Sequence, residues 1–137
     1  MVQRGRSPKY ENIGVNIIKS GQARGYREFD FSKKYYVSSS FVEDNRKLQK
    51  GDILINSTGV GTAGRVTLFE LEGDYVVDSH ITICRPNEKI IPSFMLFSLA
   101  HIGFENIEKM ANGSSGQIEI SINTIKNIQI PVPPLPE

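Results

Sequence analysis

The stretch GDILINSTGVGTAGR, residues 51–65, decides the class of fold. After the Gly51-Asp52 punctuation, residues 52–56 form a strongly apolar, β-favouring run and read as a strand. The glycines that follow, Gly59-x-Gly61-x-x-Gly64, spell the dinucleotide-binding pattern by letter and stand after a strand, as that pattern requires. A dinucleotide loop, however, must open a helix whose N-terminal amides hold the pyrophosphate. Here it runs into Arg65-Val66-Thr67-Leu68-Phe69, which is β-branched and aromatic and favours a second strand. The stretch is therefore strand, wide glycine-rich turn, strand. Two uses of the turn remain open. Its glycines supply positive φ for a wide hairpin and nothing more, or they let bare backbone approach a phosphate, with Thr58, Thr62 and Arg65 as donors.

Working outward, residues 1–12 are polar and rich in turn formers and read as an irregular entry loop. Residues 15–19 predict a short strand, 20–30 a loop with two glycines, and 34–37 another short strand. Ser40-Phe41-Val42-Glu43 has capping-box form and predicts a short helix over 41–47. Downstream, residues 65–70 alternate, Gly73-Asp74 turns, and two β runs at 75–77 and 81–84 flank Asp78-Ser79-His80. Pro92-Ser93 opens the best helix, with Ser93 or Pro92 near the cap and Phe94, Leu96, Phe97, Leu99 and Ala100 spaced for one buried face. Gly103 breaks it, 104–110 resumes as a second helix, 112–117 is a loop, and Ser121 caps a short helix through Lys126. Residues 128–132 predict a final strand before Pro133-Pro134-Leu135-Pro136. Many short strands followed by helices in the C-terminal half predict an α+β fold with a mainly antiparallel, twisted, barrel-like sheet.

A length of 137 residues suits a single domain, 1–137. No run approaches the roughly eighteen apolar residues of a membrane helix, and MVQRGRSPKY has no apolar signal core, so a cytoplasmic protein with no membrane partner is expected. The one cysteine, Cys84, cannot form an internal disulfide and sits in the apolar run HITIC as a small hydrophobe. His80 and His101 are the only histidines and lack metal-ligand spacing, so no metal or cofactor is expected. Asp78-Ser79-His80 names triad residues, but three consecutive side chains cannot take triad geometry and no G-x-S-x-G elbow exists. Pro133-Pro134 lacks the Asn or Asp before it and the aromatic after it that an amino-methyltransferase pocket needs. No catalysis is expected.

The net charge of +1 hides an asymmetry: residues 1–50 hold eleven Lys and Arg against five Asp and Glu, whereas 51–137 hold five against ten. A basic first third could form a footprint for a polyanion, or the two parts could fold together and interleave their charges. Lys19, Arg24 and Arg27, interleaved with Tyr26 and Phe29, have a composition that suits nucleic acid and equally suits a solvated loop with two core aromatics. Residues 112–117 are rich in hydrogen-bond donors, as is any surface loop.

Taken together and in order, RGRSPKYEN, KGDILINSTGVGTAGR, VVDSHITICRP, GSSGQIEIS and NIQIPVPPLPE resemble the target-recognition domain of type I restriction–modification specificity subunits, from Arg4 to Glu137. The resemblance implies a non-catalytic module that binds double-stranded DNA and reads one half of a bipartite target. It implies a methyltransferase (modification) subunit and a restriction subunit as partners. It also implies long spacer helices, the first of which would follow PPLPE, so the chain is expected to stop just before one. Base choice differs between members and should reside outside the shared strings. That places base readout on Lys19, Ser20, Gln22, Arg24 and Arg27, with Gln117 able to serve either role. Phosphate contacts fall to Thr62, Arg65, Ser114 and Ser115, and His80 is read as structural. The alternatives are a protein-interaction module without DNA contact and a nucleotide-binding domain built on Gly59, Gly61 and Gly64.

Overall fold

The computed structural model describes residues 1–59, 61–110 and 119–130. Its strands are β1 (Val2–Arg4), β2 (Tyr10–Glu11), β3 (Val15–Ile18), β4 (Ala23–Gly25), β5 (Glu28–Phe29), β6 (Tyr36–Val37), β7 (Ile53–Asn56), β8 (Val66–Leu68), β9 (Tyr75–Val77) and β10 (Ile81–Cys84). The helices are α1 (Pro92–Ile102), α2 (Phe104–Glu108) and α3 (Ile122–Lys126). One sheet runs β1-β10-β7-β8 and is antiparallel throughout. A second runs β2-β6-β3-β9, with β3 and β9 parallel, and β4 and β5 form a separate ribbon.

The apolar run of β7 follows from its position. Ile53 and Ile55 point into a core with Val66, Leu68, Leu96, Leu99, Ile107, Ile120 and Ile125, on the face that the helices cover. Leu54 points the other way, into a core with Ile18, Ala23, Leu48, Phe69, Val77, Ile81 and Ile83. A strand buried on both faces loses its alternation and reads as continuous hydrophobe. Phe69 sits edge-on to Phe29 and Tyr75 at centroid distances of 6.4 and 5.4 Å, which carries the second core out to the β4–β5 ribbon.

The mixed α+β character is as expected, but the sheets do not close into a barrel. Strands of two to four residues cannot carry a closed ladder, and the edges are stopped by other means. Helix α3 lies against β1. On the β8 edge, Tyr26 forms a single parallel bridge with Thr67.

Several local expectations are corrected. Residues 1–12 are not an irregular loop: β1 pairs with β10 in the register Val2↔Cys84, and β2 pairs with β6. Residues 20–30 hold a 3-10 turn (Ser20–Gln22) and the β4–β5 ribbon. The helix expected over 41–47 is replaced by two 3-10 turns, Ser39–Phe41 and Asp44–Arg46. Ser38 caps the first of these, and the Glu43 carboxylate turns to Arg6 at 3.2 Å. The capping box therefore does not form, and Ser, Asp and Asn in this stretch favour turns over helix.

Helix α1 starts with Pro92 at its first position after an uncharged cap, Ile91. Its buried stripe is Leu96 and Leu99 with Met95 and Ile102, whereas Phe97 is 52% exposed on the far side. Ser121 caps α3 by accepting from the Thr124 amide at 3.1 Å, as read from sequence. Residues 128–130 form no strand; Ile128 and Ile130 pack against the first core instead.

Candidate nucleic-acid interface

The β4–β5 ribbon presents the sequence-singled cations through an irregular tip. Its register shifts between Ala23 and Gly25, and Gly25 and Tyr26 take φ of +103° and +53°. Tyr26 has the one positive φ of any non-glycine among the described residues. Holding a bulky side chain there costs on the order of 1 kcal/mol and persists only where the surroundings enforce it. Here the Tyr26 amide donates to Val66 O at 3.0 Å, Tyr26 O accepts from the Leu68 amide, and the Gly25 amide donates to the buried Thr67 Oγ1 at 2.9 Å. The backbone is clamped to β8 while Arg24, Tyr26 and Arg27 are left exposed.

Arg65 follows the glycine loop and meets the ribbon from below. A Cβ on Gly25 would lie 3.6 Å from Arg65 Cγ, so the aliphatic stem passes directly under the ribbon backbone. Arg24, Tyr26 and Arg65 then line one side of an open groove of about 230 Å³, and Leu99 and Ala100 of α1 line the other. Two residues chosen from sequence for different roles, Arg24 and Arg65, thus share one groove.

The other candidates are placed differently. Arg27 pairs with Glu70 at 3.1 Å, both side chains about half exposed, and such a pair is worth about 0–1 kcal/mol, so the arginine can exchange partners readily. Lys19 lies over the rings of Tyr35 and Tyr10, at 4.5 and 5.4 Å from their centroids. Ser20 is half-buried, and its carbonyl accepts from Asn56 Nδ2 at 3.1 Å. Gln22 is turned inward: its Oε1 accepts from the Lys19 amide at 2.9 Å and its Nε2 donates to Lys33 O at 2.7 Å. It braces the segment that carries the cations. Ser114, Ser115 and Gln117 lie outside the described residues.

In the glycine loop, Gly59, Gly61 and Gly64 all take positive φ, as a wide hairpin needs. The amides of Thr62, Ala63, Gly64 and Arg65 donate to Gly59 O, Gly59 O, Asn56 O and Thr62 O. They are turned into the loop and away from any pyrophosphate, and β8 follows where a dinucleotide site needs a helix. Thr62 is half-buried within this turn.

Asp78-Ser79-His80 forms the bend between β9 and β10. Asp78 Oδ1 accepts from the His80 amide at 2.9 Å, and His80 Nδ1 is hydrogen-bonded to Thr58 Oγ1 at 2.7 Å. The Ser79 hydroxyl is bonded to that of Ser7 at 3.2 Å, so it is not aligned with the His80 ring as a nucleophile would be. Burial pushes the Asp78 carboxyl above its ordinary range, against the His80 amide and charge, the Ser20 amide and Lys19, which pull it down. The His80–Thr58 bond ties this bend to the start of the glycine loop.

The charge asymmetry resolves in part. Arg4–Glu119, Arg27–Glu70, Lys47–Asp74 and Lys50–Glu72 join cations of the first fifty residues to acids of the remainder. Lys9, Lys19, Arg24, Lys33 and Lys34 make no ion pair among the described residues, although Asp30 feels the charge of Arg24 and Asp78 that of Lys19. Sequence reasoning missed the Asp52–Arg85 pair, with Nε–Oδ1 at 2.7 Å and Nη2–Oδ2 at 2.9 Å; 33 positions separate the two, and nothing local signals it.

No helix among the described residues is long and apolar enough to cross a membrane. Residues 2–137 match the family described as the type I restriction modification DNA specificity domain. A protein of Haemophilus influenzae named as a type I restriction enzyme specificity subunit is 30% identical over 125 residues, covering 86% of this chain and 31% of that protein. The MjaX specificity subunit of Methanocaldococcus jannaschii, also named for a type I restriction enzyme, is 31% identical over 116 residues, covering 80% of this chain and 27% of its own length. Among solved structures, one describing complex assembly and conformational transition of the type I R-M system superposes with a TM-score of 0.72 at 17% identity. That match covers 98% of this chain and 32% of the other, and it shows the fold. The chain spans less than a third of the length of each of these relatives. With the family match running from Val2 to the last residue, the chain belongs to the type I restriction–modification DNA specificity family.

Proposed function

We propose that this chain is a double-stranded DNA recognition module that reads one half of a bipartite target for a type I restriction–modification complex and catalyses nothing itself. The observation that carries the reading is the groove at which Arg24, Tyr26 and Arg65 converge, in a chain of this family. In this reading Arg65 and Thr62 hold phosphates, which fixes register without reading sequence. Arg24, Arg27 and Lys19 supply base-edge contacts, each good bidentate pair discriminating by about 1–3 kcal/mol. Ser20 stands beside them at the start of the same segment, and Gln22 supports it from within. Ser114, Ser115 and Gln117 complete the proposed contact set. The modification and restriction subunits are the proposed protein partners, and the cytoplasm the proposed site of action.

The test is selection of a randomised duplex library by this chain at low salt, followed by Arg65→Ala and Arg24→Ala variants. One short motif should be enriched and lost as salt rises. Arg65→Ala should weaken every duplex alike and reduce the salt slope by about one, whereas Arg24→Ala should relax preference at one position. A single module buries only about 600–1,000 Å² of protein surface, so affinity should be modest. Failure to retain any duplex at low salt would reject the reading.

A further inference from the structure

Tyr26 is the residue of the groove that the contacts described so far leave unexplained. Its ring belongs to neither core, it is 61% exposed, and no aromatic ring or cation of the described residues is stacked on it. Yet its backbone is held in the left-handed region by the two hydrogen bonds that form its bridge to the buried strand β8. Glycine or asparagine would sit there with less strain and make the same backbone bonds. An exposed ring on an anchored backbone, flanked in sequence by the cations Arg24 and Arg27 and sharing one wall of the groove with Arg24 and Arg65, has the form of a rigid aromatic probe set among guanidinium groups.

We propose, resting on the DNA-recognition reading above, that Tyr26 is a specificity-determining residue whose ring stacks on a base at a locally opened base-pair step. A ring can reach a base face only where the step unstacks, and pyrimidine–purine steps open most easily. The preference created at that step would therefore come from deformability as well as contact. Arg65 holds the phosphate beside the opened step, Arg24 and Arg27 contact the base edges that flank it, and the apolar wall of Leu99 and Ala100 takes the edge of the displaced base.

The test uses the 137-residue chain, Tyr26→Gly and Tyr26→Phe, in the same randomised-duplex selection, together with duplexes carrying 2-aminopurine within the enriched motif. Tyr26→Gly relieves the left-handed strain, so its melting temperature should not fall. Its affinity for the wild-type motif should fall tenfold or more, the range in which a base loses its aromatic platform. The preference for one pyrimidine–purine step should disappear, while the salt slope stays unchanged because no charge is removed. Tyr26→Phe should keep the motif. Wild-type binding should raise 2-aminopurine fluorescence at that step, and Tyr26→Gly should not. If the wild type enriches a motif and Tyr26→Gly enriches the same one with equal affinity, the assignment of Tyr26 fails while the DNA reading stands. If affinity falls without any fluorescence rise on wild-type binding, the opened step is overturned. If the wild type retains no duplex, both readings fall together.

Discussion

Thr67→Val is the substitution that best isolates how the groove is held. Thr67 is fully buried on β8, and its Oγ1 accepts the Gly25 amide at 2.9 Å. Valine keeps the shape and removes the acceptor, which leaves the Gly25 N–H unsatisfied next to the core. An orphaned buried donor costs about 1–3 kcal/mol. The remaining bonds from ribbon to β8 are those of Tyr26 with Val66 O and the Leu68 amide. Those two bonds hold a backbone that is itself in a strained conformation, so releasing the ribbon tip removes strain as well as contacts. Part of the cost should therefore appear as local opening.

For a chain of this size about 4 °C in Tm accompanies each kcal/mol, so the expected drop is about 4–12 °C. Urea unfolding measures the global effect, and hydrogen exchange at the Tyr26 and Leu68 amides measures the local one. Duplex binding should lose preference before it loses affinity, because the positioning of Arg24 and Tyr26 degrades while their charge and ring remain. Unchanged stability, to within about 0.5 kcal/mol, with unchanged protection at Tyr26 would refute the reasoning: the Tyr26 backbone bonds and the packing of Ala23 and Phe29 would then hold the ribbon without Thr67.

Two further perturbations test the frame. Asp52→Asn leaves the Arg85 guanidinium without its carboxylate, and the Asp52 side chain is 1% exposed against 22% for Arg85. Breaking such a pair from one side costs about 3–5 kcal/mol, and the partial exposure of Arg85 puts the expected loss near the lower end in a urea titration. Asp78→Asn probes the buried carboxyl that burial raises above 3.8. A raised folded-state value means that the contribution of Asp78 to stability is fully present below the ordinary value and is lost as pH rises through the folded one. Asparagine can still accept from the His80 amide and does not ionise, so its stability relative to the wild type should climb as pH rises above the ordinary carboxylate range. A difference that stays flat across that rise would show that burial does not govern this site.

The parts of the fold legible in the sequence are those specified locally. Residues 51–69 read as strand, turn and strand because the β-branched run after Gly64 rules out a helix within a few positions. The edge strand β1 could not be read that way. Val2–Arg4 is a strand because it pairs with β10 some eighty residues later, and three residues carry no period of their own. The β4–β5 ribbon is similar: its order comes from Thr67 and Val66, and the local window shows only glycines and charges. Phe97 misled the helix reading because five apolar residues at near-helical spacing do not say which of them faces the sheet. In the site, Arg24 and Arg65 were visible as cations, but their convergence depends on the bridge between Tyr26 and Thr67, which no spacing encodes. Gln22 has the composition of a base reader, and its inward turn is set by the Lys19 amide and the Lys33 carbonyl.

The way the ribbon is attached bears on how a family of one fold can serve different targets. The hydrogen bonds that fasten it come from backbone amides and carbonyls of Gly25, Tyr26, Val66 and Leu68 and from the side chains of Thr67 and Gln22, and Ala23 and Phe29 pack into the core beneath. The side chains of Arg24, Tyr26 and Arg27 contribute no bond to β8, and the Arg27–Glu70 pair is exposed and weak. Changing those three side chains should therefore alter what the groove presents at little cost to folding, apart from the strain at position 26, where glycine or asparagine is favoured. In the proposed reading, stability and specificity rest on different atoms of the same residues. A tyrosine at the one positive-φ non-glycine position among the described residues, where glycine or asparagine would be less strained, is accounted for by the base contact proposed for its ring.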